Sequence, residues 1–285
     1  MTQRRRLSIL MDSTALVAVE RELLVSTTKR HTVSVTPVTV LKLIAQLARN
    51  TDHRGAFANL VKCQHATVLP NMLSDAMTLL GTTPPTTHRY FLEPAFATKI
   101  IRIAASSGSY DDFMARSFVI HDEPVAIADL PVTAQAVLAP LAGAVNTQVK
   151  ALTSSLAKEL AHDDVVMMNS ETAMRFVVAA VVVIADQRKV QLTSQQMSAV
   201  YGFVAACLMR AQLQLERGTA FDVDDLEFAL VPFHLGVGET VLVSDDASAR
   251  QTLTKAAQVL STLVRRAPAL RTAAVHELRG NGPVT

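Results

Sequence analysis

The residues of this sequence that could do chemistry are carboxylates at strand ends. Asp12 follows the apolar run Leu7–Met11. Asp222, Asp224 and Asp225 open a helical pattern, and Asp245 with Asp246 follow the run Thr240–Val243. In an open parallel sheet, ligands bind at the carboxyl ends of the strands, near a switch in strand order. Carboxylates gathered there repel one another and take up protons unless a cation joins them. A hard cation, Mg²⁺ or Mn²⁺, suits such a set, because it binds through a few carboxylates and keeps waters for a phosphate substrate. Each Asp taken singly also suits an N-cap or first-turn position, where the helix dipole favours an acid. The order and surroundings of all three groups favour the cation.

The elements that must position these acids alternate at both ends of the chain. Leu7–Met11, Thr32–Thr36 and Ala66–Leu69 read as short buried strands. Helical patterns follow each: Ala15–Leu24, then Val38–Arg49 with Pro37 at its first position, then Asn71–Leu80 ending at Gly81. After the turn-rich segment 81–87, strand signal is almost absent until about residue 240. Pro94–Ser106, Thr133–Ala161, Glu171–Asp186 and Ser194–Glu216 read as helices, the last opened by a capping box from Thr193 and Gln196. A helix over Asp222–Phe233, a strand over Thr240–Val243, a helix over Ala247–Arg265 and a closing strand over Ala273–Leu278 complete the pattern. This predicts an α/β protein, a parallel sheet flanked by helices with a mostly helical insertion. The core is expected from 1–85 and 217–285, with the insertion, 86–216, packed on it.

Composition narrows the classes. Of 285 residues, 49% are apolar and 18% charged, which supports a sizeable core and excludes a disordered chain. A net charge of +2 excludes a strongly basic, non-specific nucleic-acid coat. Two cysteines, Cys63 and Cys207, are too few for a disulfide scaffold and point to a reducing, cytoplasmic setting. The most apolar run, Phe176–Ala185, is too short to span a bilayer and is expected to be core, so no membrane partner is expected. His121-Asp122-Glu123 and His162-Asp163-Asp164 are consecutive residues that cannot share a face, which favours loop or cap roles. Gly236-Val237-Gly238 suits a turn, Arg4–Arg6 a solvated terminus, and Cys63 near His65 a structural thiol.

Four segments together resemble the PIN-domain ribonucleases: Ile9-Leu10-Met11-Asp12-Ser13-Thr14-Ala15-Leu16, Val35-Thr36-Pro37-Val38 with the helix after it, Phe221-Asp222-Val223-Asp224-Asp225-Leu226, and Val241-Leu242-Val243-Ser244-Asp245-Asp246. They cover about half of the chain and occur in the family's order. The resemblance implies a PIN-like sheet and a metal-dependent endoribonuclease that hydrolyses RNA phosphodiester bonds. Asp12, Asp222, Asp225 and Asp246 would be catalytic and, with Asp245 as an alternative in the last position, would hold Mg²⁺ or Mn²⁺. Ser13, Ser244 and Lys42 would contact substrate. RNA is the implied partner, with room for an inhibitory protein and for a homodimer. Two departures bear on this: Lys42 stands where the family's helix carries Glu, and Phe221 where it carries Asn. An ammonium among carboxylates competes with a cation. Glu20 and Glu22 are the acids nearest the first motif that could compensate. Lys42 therefore opens the alternative of a weakened or inactive PIN-like scaffold that binds RNA or protein.

Overall fold

The computed structural model describes residues 6–48, 53–70, 89–120, 122–160, 170–188, 193–223, 225–235, 239–264 and 269–279. Five parallel strands form the main sheet: β1 (Ser8–Met11), β2 (Thr32–Val35), β3 (Thr67–Val68), β6 (Glu239–Val243) and β7 (Ala269–Ala273), in the order β3-β2-β1-β6-β7. The central strand β1 pairs Ile9 with Val33 on one side and with Val241 on the other. Ile9, Leu10 and Met11 are buried, as are Val241, Leu242 and Val243, so these strands read as continuous apolar runs rather than alternating ones. The chain builds outward from β1 through β2 and β3, then returns on the far side of β1 as β6 and β7. That places the switch in strand order between β1 and β6.

Around the sheet lie α1 (Ser13–Ala18), α2 (Arg21–Arg30), α3 (Pro37–Gln46), α4 (His53–Lys62), α5 (Pro94–Ser106) and α6 (Tyr110–Met114). Next come α7 (Leu130–Leu160), α8 (Ser170–Arg188), α9 (Ser194–Arg217), α10 (Leu226–Leu230) and α11 (Ala247–Leu263). α7 packs against α3 and α9, and α9 against α11, so a single hydrophobic core runs from the sheet into the helical block. At the α9 crossing, a Cβ on Gly202 would lie 2.9 Å from the Pro232 ring, so only glycine fits that approach. The architecture is α/β, a five-stranded parallel sheet flanked by helices, and is consistent with a PIN-like fold carrying a helical insertion.

Several elements differ from the sequence expectation. Ala15–Leu24 is not one helix: α1 ends at Ala18 and α2 starts afresh at Arg21. The middle of the chain does hold strands, an antiparallel hairpin of β4 (Ser117–Ile120) and β5 (Glu123–Ala126). Asp122, at its turn, adopts φ 66°, a left-handed conformation that Asp tolerates better than most residues. The closing strand lies earlier than Ala273–Leu278, which is instead mostly a 3₁₀ turn over Val275–Arg279. Helix α4 had no clear sequence signal, and the expected helix Asn71–Leu80 lies outside the described residues. Phe176–Ala185 is core on one face only: Val178, Val182 and Val183 are exposed. Among the described residues, Ile127–Glu159 is long and apolar enough by composition to cross a membrane. It is packed along one side, with Val137, Leu141, Val145, Val149 and Leu156 buried.

Candidate functional site

The site forms where β1, β2 and β6 end. Asp12 caps α1: its Oδ1 accepts from the Ala15 amide and from Thr14 Oγ1, both at 2.8 Å. On the next strand, Thr36 caps α3 in a reciprocal box with Thr39, and Pro37 takes the first helical position, where no amide partner is needed. One turn on, Lys42 projects from the same helix, with only 5% of its side chain exposed. Opposite it stands Glu227 on the short helix α10, equally buried, with Lys42 Nζ 3.3 Å from its Oε2.

Glu227 is the centre of this network. Its two oxygens share the Ser13 amide, at 3.0 and 3.2 Å. Oε2 also accepts from Ser13 Oγ at 2.7 Å, and Oε1 accepts from Thr39 Oγ1. The Thr39 hydroxyl proton is thereby committed to Glu227. The 2.9 Å contact between Thr36 and Thr39 is then a donation from Thr36. A buried carboxylate is stable only when paired and hydrogen-bonded, and here three donors and an ammonium meet that condition.

Among the described residues, the acids implied by the family resemblance form no group of three that could hold a metal ion. Asp12 lies close enough to Glu227 for the two charges to interact. Asp225 is held instead by Arg210 of α9, whose Nε and Nη2 lie 3.0 and 2.8 Å from its Oδ2. Arg210 also donates to the carbonyls of Thr219 and Ala220, which clamps the turn before α10. Asp222 is exposed and bonded reciprocally with Asp225. Asp246 caps α11 by accepting from the Ser248 and Ala249 amides, and Asp245 is exposed. The capping role that suits a single Asp is thus the one Asp246 plays. Ser13 contacts Glu227, and Ser244 lies 3.1 Å from Thr14 Oγ1 and accepts from the Asp246 amide. Glu20 pairs with Arg279 at the surface and Glu22 is exposed, so neither compensates Lys42.

Glu227 was missed by motif matching, yet it carried a signal. It is the one acid in the run Leu226–Phe233, and Lys42 is likewise the one charge in Pro37–Gln46. Two opposite charges, each isolated in an apolar helix, need each other once both helices are buried.

The donors among the described residues suit an ion pair better than a divalent ion. Among the described residues, no three His, Cys, Asp or Glu side chains are close enough to hold one. Glu227 is saturated by its donors, and the third charged group at the site is a cation. Asp224 and the segments His162-Asp163-Asp164 and Gly236-Val237-Gly238 lie outside the described residues, as do Arg4, Arg5 and His121. Asp122 and Glu123 are exposed on the hairpin. Burial pushes the Cys63 thiol up to about 12, which suits a structural role. A cleft of about 550 Å³ beside β3, lined by Gln64, Thr67, Thr98 and Arg102, contains none of the site's carboxylates.

Burial, with the Glu227 charge second, raises the Asp12 pKa from 3.8 to about 6; bonds from Ser244, Ala15 and Thr14 oppose the rise. His234, buried nearby, is pushed down to about 4 by burial, against weaker pulls from Pro70 and Glu227. The ring is therefore neutral at pH 7.

No family model, curated protein or solved structure matches this chain. The assignment of function therefore rests on the site itself.

Two outcomes follow from this geometry. Lys42→Met strands a buried carboxylate and should destabilise the protein by about 3–5 kcal/mol. Combining it with Glu227→Gln should recover much of that loss, giving a coupling of at least about 2 kcal/mol in a denaturant double-mutant cycle. Additive losses would show that the pair does not form. The second concerns pH. Because the Asp12 pKa is raised on folding, the native state keeps a proton that the unfolded chain releases between about pH 4 and 6. Asp12 therefore lowers stability as pH rises through that window. Asp12→Asn keeps the cap acceptor and removes the titration. Its stability relative to the parent should grow by roughly 2–3 kcal/mol between pH 4 and 6 and then level off. A constant difference across that range in urea melts would contradict the raised pKa.

Proposed function

We propose that this chain is a PIN-like scaffold that works as a protein-interaction module, with an internal ion pair standing where the related nucleases would hold their cation. The observation that carries this reading is the contact between Lys42 and Glu227, 3.3 Å at the carboxyl ends of the strands. At an effective dielectric of about 20, an ammonium about 4 Å from a carboxylate gains roughly 4 kcal/mol before desolvation, enough to stand in for a metal charge. The related endoribonucleases need several acids around one open coordination site. Here one acid is neutralised by Lys42, another by Arg210, and a third is used as a helix cap.

The surface favours a protein partner over RNA. The basic side chains of the helical block are scattered, and Lys99 is engaged by the Val119 carbonyl and the Phe118 ring. Exposed valines, by contrast, line the outer face of α8.

The test is cleavage of single-stranded RNA with Mn²⁺, with and without chelator, alongside metal-dependent melting. The parent protein should show no chelator-sensitive cleavage and no Mn²⁺-dependent shift. Lys42→Glu sets a third carboxylate beside Asp12 and Glu227, so its stability should become Mn²⁺-dependent, by about 2.7 kcal/mol at a hundredfold excess over Kd. Chelator-sensitive cleavage by the parent protein that disappears in Asp12→Asn would establish the nuclease instead.

A further inference from the structure

We propose that α8 is a self-complementary surface through which two copies of this chain pair antiparallel. The inference rests on the protein-interaction reading and names its partner; it makes no use of the Lys42 site. One face of α8, with Ala173, Val177, Val181 and Ile184, is buried, and the helix packs on α9 and α11. The opposite face exposes Glu171, Arg175, Val178, Ala179, Val182, Val183 and Asp186. Val178 is 38% exposed, Val182 58% and Val183 51%, a large apolar exposure for one helix.

The charges that flank the apolar stripe of this face identify the occupant. Arg175 stands at one end of it and Asp186 at the other, equidistant from a point between Ala180 and Val181. A two-fold axis through that point makes an isologous contact. It sets Val178 on Val183 of the second copy, Ala179 on Val182, and Arg175 against Asp186. Arg175 then meets Asp186 at both ends, with Glu171 one turn further out, whereas parallel pairing would set like charge on like.

Asp186 supplies an independent reason. It lies in the last turn of α8, where the helix dipole disfavours an acid. Arg175 Nη2 lies a long 3.5 Å from Thr172 Oγ1. The second copy brings Arg175 to Asp186 and offsets that unfavourable placement. A contact of one helix face falls short of the ~1,600 Å² of a standard interface, so the dimer is weak, with Kd roughly micromolar or above.

Sedimentation velocity of the full chain, from about 1 to about 200 µM at low salt, reads this directly. The parent should shift from monomer to dimer with concentration. Arg175→Asp or Asp186→Arg alone makes both ends of the stripe like-charged and should weaken the dimer at least about tenfold. Mixing the two variants in equal amounts should restore association, as should the double reversal, because each new pair is again opposite in charge. Val182→Glu should abolish the dimer. A parent that stays monomeric throughout, a dimer indifferent to the reversals, or a mixture that fails to associate would each overturn the proposal. None of these results depends on metal or RNA, so they are separable from the outcome at Lys42.

Discussion

The buried pair of Lys42 and Glu227 is the constraint around which the carboxyl edge of this sheet is organised. Neither charge could be buried alone without losing several kcal/mol. Glu227 meets its cost through the start of α1, which supplies the Ser13 amide and hydroxyl, and through the cap of α3, which supplies Thr39. Three separate segments, at residues 13, 39–42 and 227, are thereby tied to one carboxylate. A pair of this kind contributes more to choosing one arrangement of the segments than to net stability, because apolar residues of similar size would also pack there.

The helical block is part of that arrangement and not an appendage. Arg210 on α9 reaches across to Asp225 and to the carbonyls of residues 219 and 220, which fixes the turn from which α10 starts. Glu227 lies two residues beyond Asp225. On the other side, α7 packs along α3, the helix that carries Lys42. The insertion thus holds both helices that bring the ion pair together, and the sheet supplies the strand ends on which they close.

Much of the fold was legible in the sequence, because short apolar runs ending in polar caps are local signals. β1, β2, β6, the start of α3 at Pro37 and the capping box at Thr193 fall where the residues indicate. Elements with weak local signals were not legible. The β4–β5 hairpin is mostly exposed, with no clean alternation, and α4 has mixed polarity. Asp12, Ser13 and Lys42 were legible as polar residues at a strand end, a helix start and an otherwise apolar helix, and the structure sets all three against Glu227. Asp246 caps α11, and a sequence shows an acid at a helix start in the same way whether it caps or binds metal. Glu227 was hidden because its partners lie 214 and 188 residues away, at Ser13 and Thr39.

The central claim is that an internal ammonium serves this site in place of a divalent cation. Anomalous diffraction from crystals soaked in Mn²⁺ tests it most directly. The account predicts no anomalous peak at the carboxyl ends of β1 and β6, with Lys42 still on Glu227. A peak within about 2.5 Å of the Asp12 and Glu227 carboxylates, with the lysine displaced, would contradict it.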